Sequence, residues 1–70
     1  MDREFVVSSM IKSIGYDSNN STLEIEFNNG AVWQYYDFPE SLWHDFNGCD
    51  SKGKYFLKEI KNQYRELRVG

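Results

Sequence analysis

The chain has 70 residues, room for one domain with one core, and carries a net charge of −3. Its single cysteine excludes an internal disulfide, and no apolar run approaches the ~20 residues that a membrane helix needs. A chain this short buries only about 60% of the surface that its unfolded form exposes, so large side chains must supply the core. Twelve aromatic residues are present to do so.

The amino terminus, Met1-Asp2-Arg3-Glu4-Phe5, lacks the basic start and apolar stretch of a secretion signal. Together with the lone free thiol of Cys49 this points to a soluble, cytoplasmic protein. Residues 6–16 mix β-branched and aromatic side chains and read as a first strand. The alternation places Met10, Ile14 and Tyr16 on one parity and Ile11 on the other, and a bulge near Ser13 would turn both isoleucines inward. Residues 17–22, Asp-Ser-Asn-Asn-Ser-Thr, are turn formers and make a loop.

Residues 23–27 give the cleanest pattern, with Leu23, Ile25 and Phe27 alternating with Glu24 and Glu26. The turn at Asn28-Asn29-Gly30 returns the chain as a third strand over residues 31–37. A two-residue turn would set Trp33 and Tyr35 beside the glutamates. A three-residue loop with a glycine bulge sets Phe27 opposite Ala31 and Trp33 and Tyr35 on the apolar face, with Gln34 and Tyr36 beside Glu24 and Glu26. The second register matches apolar with apolar, and we favour it on that ground.

Pro39 suits the first turn of a helix, with Asp37 as its cap, Glu40 at its positive end, and Leu42, Trp43 and Phe46 on one face before Gly48 stops it. Asp50 or Ser51 then caps a second helix with the stripe Phe56, Ile60, Tyr64 and Leu67. The expected fold is therefore α+β: a three-stranded antiparallel β-meander followed by two short helices packed on one face of the sheet.

Four segments resemble the KTSC domain, a family found at the carboxyl terminus of some lysyl-tRNA synthetases and as stand-alone bacterial proteins. They are Ser8-Ser9-Met10-Ile11-Lys12-Ser13-Ile14-Gly15-Tyr16-Asp17, Leu23-Glu24-Ile25-Glu26-Phe27 with Gly30, Trp33-Gln34-Tyr35-Tyr36-Asp37-Phe38-Pro39, and Ser51-Lys52-Gly53-Lys54-Tyr55-Phe56. The resemblance spans nearly the whole of residues 1–70, as a single domain, and implies a role in RNA binding through the attachment to a tRNA-charging enzyme. Two positions depart from the family pattern: Trp33 stands in a Tyr-x-Tyr motif, and Leu57 stands where Asn is usual.

For chemistry the inventory is thin. His44 and Cys49 lack a third orienting group, and one His with one Cys does not make a metal site, so no catalytic residue, metal or cofactor is expected. Charge is distributed unevenly. Residues 1–50 hold two bases and nine acids, whereas residues 51–70 hold six bases and two acids. A basic last helix on an acidic body is either a solvated face or a patch for a polyanion. Rings beside lysines suit single-stranded nucleic acid, because bases stack while cations follow the backbone. The candidate residues are Trp33, Tyr35, Tyr36, Ser51, Lys52, Lys54, Tyr55, Lys58, Lys61 and Arg65.

The Ser51-Lys52-Gly53-Lys54 start also suits a single phosphate, since Gly53 permits close approach. The plainer reading is a serine cap, with Gly53 packing tightly against Trp43 or Phe46. The expected partners are RNA, as tRNA or single strands, or alternatively a protein, with the chain a monomer or weak homodimer and no membrane role. The protein-interaction reading rests on two sheet edges with little protection and on Tyr36 or Trp43 as an exposed anchor.

Overall fold

A computed structural model describes residues 2–70. Five strands lie in chain order across one antiparallel sheet: β1 (Glu4–Phe5), β2 (Ile11–Asp17), β3 (Thr22–Phe27), β4 (Val32–Tyr35) and β5 (Glu66–Arg68). Between β4 and β5 come α1 (Glu40–Gly48), α2 (Lys52–Tyr55) and a π-helical turn, Phe56–Ile60. The fold is α+β with helices on one face, as expected, but the sheet has five strands and not three.

The central three strands follow the apolar pattern. Leu23 pairs with Tyr35 and Ile25 with Trp33, and Phe27 N–H donates to Ala31 O at 2.9 Å across the loop of residues 28–30. Gly30 has φ of +91°, the conformation that the loop demands and that glycine adopts without a side-chain clash. The three-residue register is therefore the one observed. In β2 the register shifts between Ile11 and Ser13, so Lys12 is the extra residue of a bulge and both Ile11 and Ile14 are fully buried.

The two added strands and the end of the expected second helix have one physical cause. A three-stranded meander leaves the backbone groups of both outer strands without partners. On one side, Glu4 and Phe5 pair with Ile14 and Ser13. Gly15 makes room for this segment, because a Cβ there would lie 2.5 Å from Asp2 O. On the other side, Glu66, Leu67 and Arg68 pair with Tyr35, Gln34 and Trp33. To reach that edge the chain leaves the helix after Ile60, and Asn62 takes a left-handed φ of 65°. Leu67, expected on a helical stripe, is thus a half-exposed strand residue on the far face of the sheet.

The core joins Ile11, Ile14, Leu23, Ile25 and Tyr35 of the sheet to Phe38, Phe46, Phe56 and Ile60 of the covering layer. Phe56 meets Phe27 and Tyr35 edge-on at ring distances of 5.2 and 5.8 Å. Phe38 meets Tyr64 at 4.9 Å, and Tyr16 stacks on Trp43 at 5.6 Å. Such pairs add about 0.5–1.5 kcal/mol each beyond the area that they bury.

The start of α1 differs from expectation. Pro39 is itself the N-cap residue, with ψ of 141°, and no side chain caps the helix. Asp37 sits at φ of 56°, outside the extended range of a capping residue, and its carboxylate turns toward Arg65 at 3.9 Å. Gly48 is the last residue of α1, and Cys49, in extended conformation, ends it. Of the two caps considered for α2, Ser51 serves: its Oγ accepts from Lys54 N–H at 3.3 Å.

Candidate nucleic-acid interface

The structure separates nine of the ten predicted residues into three groups, and the tenth, Ser51, is the cap of α2. Lys52, Lys54, Lys58 and Lys61 stand on α2 and the turns after it, where Phe56 and Ile60 are the side chains that anchor the segment to the core. Lys54, Lys58 and Lys61 are exposed. Lys52 is half-buried, its Nζ donating to Cys49 O at 2.7 Å across the end of α1. Among the described residues, no carboxylate lies within ion-pair distance of any of the four. Lys54, Lys58 and Lys61 are solvated, and none of the four charges is paired with a carboxylate, which leaves them available to an anion.

The rings behave differently. Tyr35 is 2% exposed, wedged against Phe56, and offers no face to a base. Burial and the nearby Glu66 push its hydroxyl well above the ordinary tyrosine range. Trp33 is half-buried on the same face, packed against the core. Tyr55 stacks on Phe46 at 5.3 Å, and its hydroxyl donates to Leu42 O at 3.5 Å. Its hydroxyl is pushed upward by burial and then by Asp45. Tyr36 is half-buried, covered on one side by the Arg65 guanidinium 5.2 Å from its ring centre. Tyr35 is thereby excluded as a stacking surface and Trp33 packs against the core, in agreement with the register that sets both on the apolar face; Tyr36 and Tyr55, the rings that this register leaves for stacking, are each partly covered. A domain this small needs its rings as core.

Arg65 also falls outside the lysine group. It follows the turn at Asn62, lies beside Tyr36 and Asp37, and its carbonyl accepts from Tyr36 N–H at 2.9 Å. The basic segment read as one helix is thus two surfaces. The lysines surround α2, and Arg65 and Arg68 belong to the β5 edge.

On the sheet face away from the helices, charges are paired. Arg3 meets Glu24 at 2.9 Å and Glu26 at 3.5 Å, and Lys12 lies 3.9 Å from Glu26. Ser13 Oγ donates to Glu26 at 3.1 Å, Gln34 Nε2 donates to Glu24 at 2.8 Å, and Tyr36 Oη donates to Gln34 at 2.9 Å. Sequence reasoning placed Gln34 and Tyr36 beside the glutamates but missed Arg3, because pairing across β1 has no local signal in so short a strand.

A cleft of about 490 Å³ opens between residues 7–10 and the start of α2, lined by Ser8, Met10, Ser51, Lys52, Gly53 and Lys54 among others. Gly53 faces Ser8 and Met10 here, and not Trp43 or Phe46 as the tight-packing reading had it. For the other chemistry weighed, Cys49 Sγ donates to Phe46 O at 3.1 Å, and His44 lies 3.7 Å from Glu40. Among the described residues, no three His, Cys, Asp or Glu side chains gather to hold a metal ion, and no helix is long and apolar enough to cross a membrane.

A five-stranded meander covered on one face by a short helical layer, with a cleft at one end of that layer, defines a small α+β domain. The KTSC domain profile matches residues 7–64, and the chain belongs to that family. It is similar to the crystal structure of a KTSC domain protein from Yersinia pestis, with a TM-score of 0.93, 40% identity, and coverage of 99% of this chain and 97% of that one. An uncharacterised protein of Stutzerimonas stutzeri is 36% identical over 99% of both chains. A lysine–tRNA ligase of Nostoc punctiforme is 39% identical over 81% of this chain, a match that spans 10% of the ligase.

Proposed function

We propose that this domain is a non-catalytic binding module for RNA, acting through the lysines around α2. The observation that carries the reading is that Lys52, Lys54, Lys58 and Lys61 have no carboxylate partner on a chain whose net charge is −3. Four unneutralised ammonium groups on one short segment repel one another. The phosphates of a nucleic-acid strand would relieve that repulsion while releasing their own counterions. The similarity to a region of lysine–tRNA ligases supports tRNA as the first RNA to try. With Tyr35 buried and the other rings engaged, the mode is phosphate tracking with little base stacking.

The test is a salt titration of binding to tRNA and to a single-stranded oligonucleotide. If all four lysines contact phosphate on a single strand, log K falls against log salt with a slope of about −3. No binding at ~20 mM salt, where screening is weakest, removes the reading. A protein-interaction role has a narrower base, the exposed Phe5 and Val7 at one sheet edge and Leu67 and Val69 at the other. Both edge strands are very short, which itself discourages strand addition. A solution mass that rises with concentration would favour that role.

A further inference from the structure

Two segments far apart in the chain, Ser8-Ser9-Met10 and Ser51-Lys52-Gly53-Lys54, form opposite walls of the cleft. The first wall is fixed in place. Asn28 Nδ2 donates to Ser8 O at 3.0 Å and Asn28 N–H donates to Met10 O at 2.9 Å, which ties these residues to the β3–β4 turn. Ser8 Oγ in turn accepts the N–H groups of Met10 at 3.1 Å and Ile11 at 3.2 Å.

A serine hydroxyl has two lone pairs and one proton. Both lone pairs of Ser8 are occupied, so the group can act toward a ligand only as a donor. Among the described residues nothing accepts its proton. The oxygen lies 3.6 Å from the point where a Cβ on residue 53 would stand, so the glycine keeps open the space in front of it. Lys52 and Lys54 line the cleft beside that space, the Lys52 ammonium keeping two N–H groups beyond the one that it gives to Cys49 O, and their two charges outweigh the single carboxylate of Asp50 on the rim. A fixed O–H donor with ammonium groups beside an open volume is complementary to an oxyanion. The four-residue α2 is too short to count as a dipole, so side chains and empty space carry the argument. Met10 and Leu57 add apolar surface beside this point, suited to a sugar or base and not to a second phosphate.

We propose that this cleft seats one phosphate of the bound RNA strand, its oxygens accepting from the Ser8 hydroxyl and from Lys52 and Lys54. The inference rests on the RNA reading above and adds the point at which the strand is anchored.

Gly53→Ala is the probe. Its methyl would sit 3.6 Å from Ser8 Oγ and 3.8 Å from Met10 Cβ, ordinary contacts that the fold accepts, while covering the hydroxyl. Alanine favours the helix over glycine, so the melting temperature should rise as RNA affinity falls about five-fold, the worth of one hydrogen bond. Ser8→Ala should weaken binding similarly and Ser8→Thr, which keeps the donor, should restore it. If the wild type binds RNA and neither Gly53→Ala nor Ser8→Ala changes the affinity, the cleft assignment is overturned and the RNA reading stands. A parallel NMR titration with AMP separates the other cases. Amide shifts at Ser9 and Gly53 in the wild type but not in Gly53→Ala, without RNA binding, keep the phosphate site and overturn the RNA reading. Silence with both ligands overturns both.

Discussion

The domain carries two charged regions that obey opposite rules. On the sheet face away from the helices, Arg3 pairs with Glu24 and Glu26 and Lys12 pairs with Glu26, while Ser13, Gln34 and Tyr36 extend this network by hydrogen bonds over β2, β3 and β4. Around α2, four lysines stand with no carboxylate in reach among the described residues. The first region is closed: its charges hold β1 to β3 and leave little for a ligand. The second is open, and its mutual repulsion costs stability that the domain must recover from its core. Charge that serves the fold is paired, and charge left unpaired is available for binding.

The largest test asks whether the open region depends on the sheet at all. Phe56, 6% exposed, joins the lysine-bearing segment to Phe27 and Tyr35. Phe56→Ala should cost about 3–5 kcal/mol, which approaches the whole stability of so small a domain. Urea denaturation followed by tryptophan fluorescence should show one transition shifted far downward. If only the helical layer loosens, with β2 and β3 amides still protected from hydrogen exchange, the two regions are independent units and the contrast between them is anatomical only.

The next test breaks the closed region. A Cβ on Gly15 would lie 2.5 Å from Asp2 O and 2.9 Å from Arg3 Cγ, so β1 must lift to admit it. Gly15→Ala should therefore cost about 1–3 kcal/mol, the range for overpacking, and should separate Arg3 from Glu24. The urea midpoint reads the cost. Arg3→Ala in the same background should then add little, because the pair is already parted. Full additivity would show that Arg3 contributes nothing through Glu24.

Alkali probes the layer between the two regions. Burial raises the Tyr35 hydroxyl above its ordinary range, and burial also raises Tyr55 and Tyr64. A raised folded pKa means that the native state keeps its proton after the unfolded chain has lost it. The stabilisation is whole below pH ~10 and drains away as pH climbs past that value. Tyr35→Phe should remove about 1.4 kcal/mol per pH unit of that decline, leaving the contributions of Tyr55 and Tyr64. Urea midpoints between pH 8 and about 11 measure it. An unchanged slope would place the Tyr35 hydroxyl in water.

Much of the fold was legible because the central strands alternate. Leu23, Ile25 and Phe27 against Trp33 and Tyr35 selected the three-residue loop, and Ile11 with Ile14 required the bulge that the register shows. The outer strands were not legible, since two or three paired residues carry no period. Glu66-Leu67-Arg68-Val69 does alternate, but Phe56, Ile60 and Tyr64 at spacings of four extended a helical reading over it. What ends that helix is non-local: the open edge of β4 takes Glu66–Arg68 as a partner. The site was half legible. Composition located the lysines, but whether they were paired depended on where Glu24 and Glu26 found partners, and those were Lys12 and, beside the short β1 that left no mark, Arg3.

The smallest expected effect on stability is the most informative about function. Replacing Lys52, Lys54, Lys58 and Lys61 together by alanine removes no ion pair, and only Lys52 gives up a hydrogen bond, to Cys49 O. Surface changes of this kind stay within about 0.5 kcal/mol each, and losing four like charges offsets part of that at low salt. The melting temperature should therefore move little, and should move upward as salt is reduced relative to the wild type. RNA binding, by contrast, should disappear along with its salt dependence. A fall in stability well beyond ~2 kcal/mol, the most that four such surface changes explain, would mean that these lysines meet carboxylates in solution, which would make the open region closed as well. The electrostatic ground for a binding surface would then be gone, whatever the RNA measurement gave.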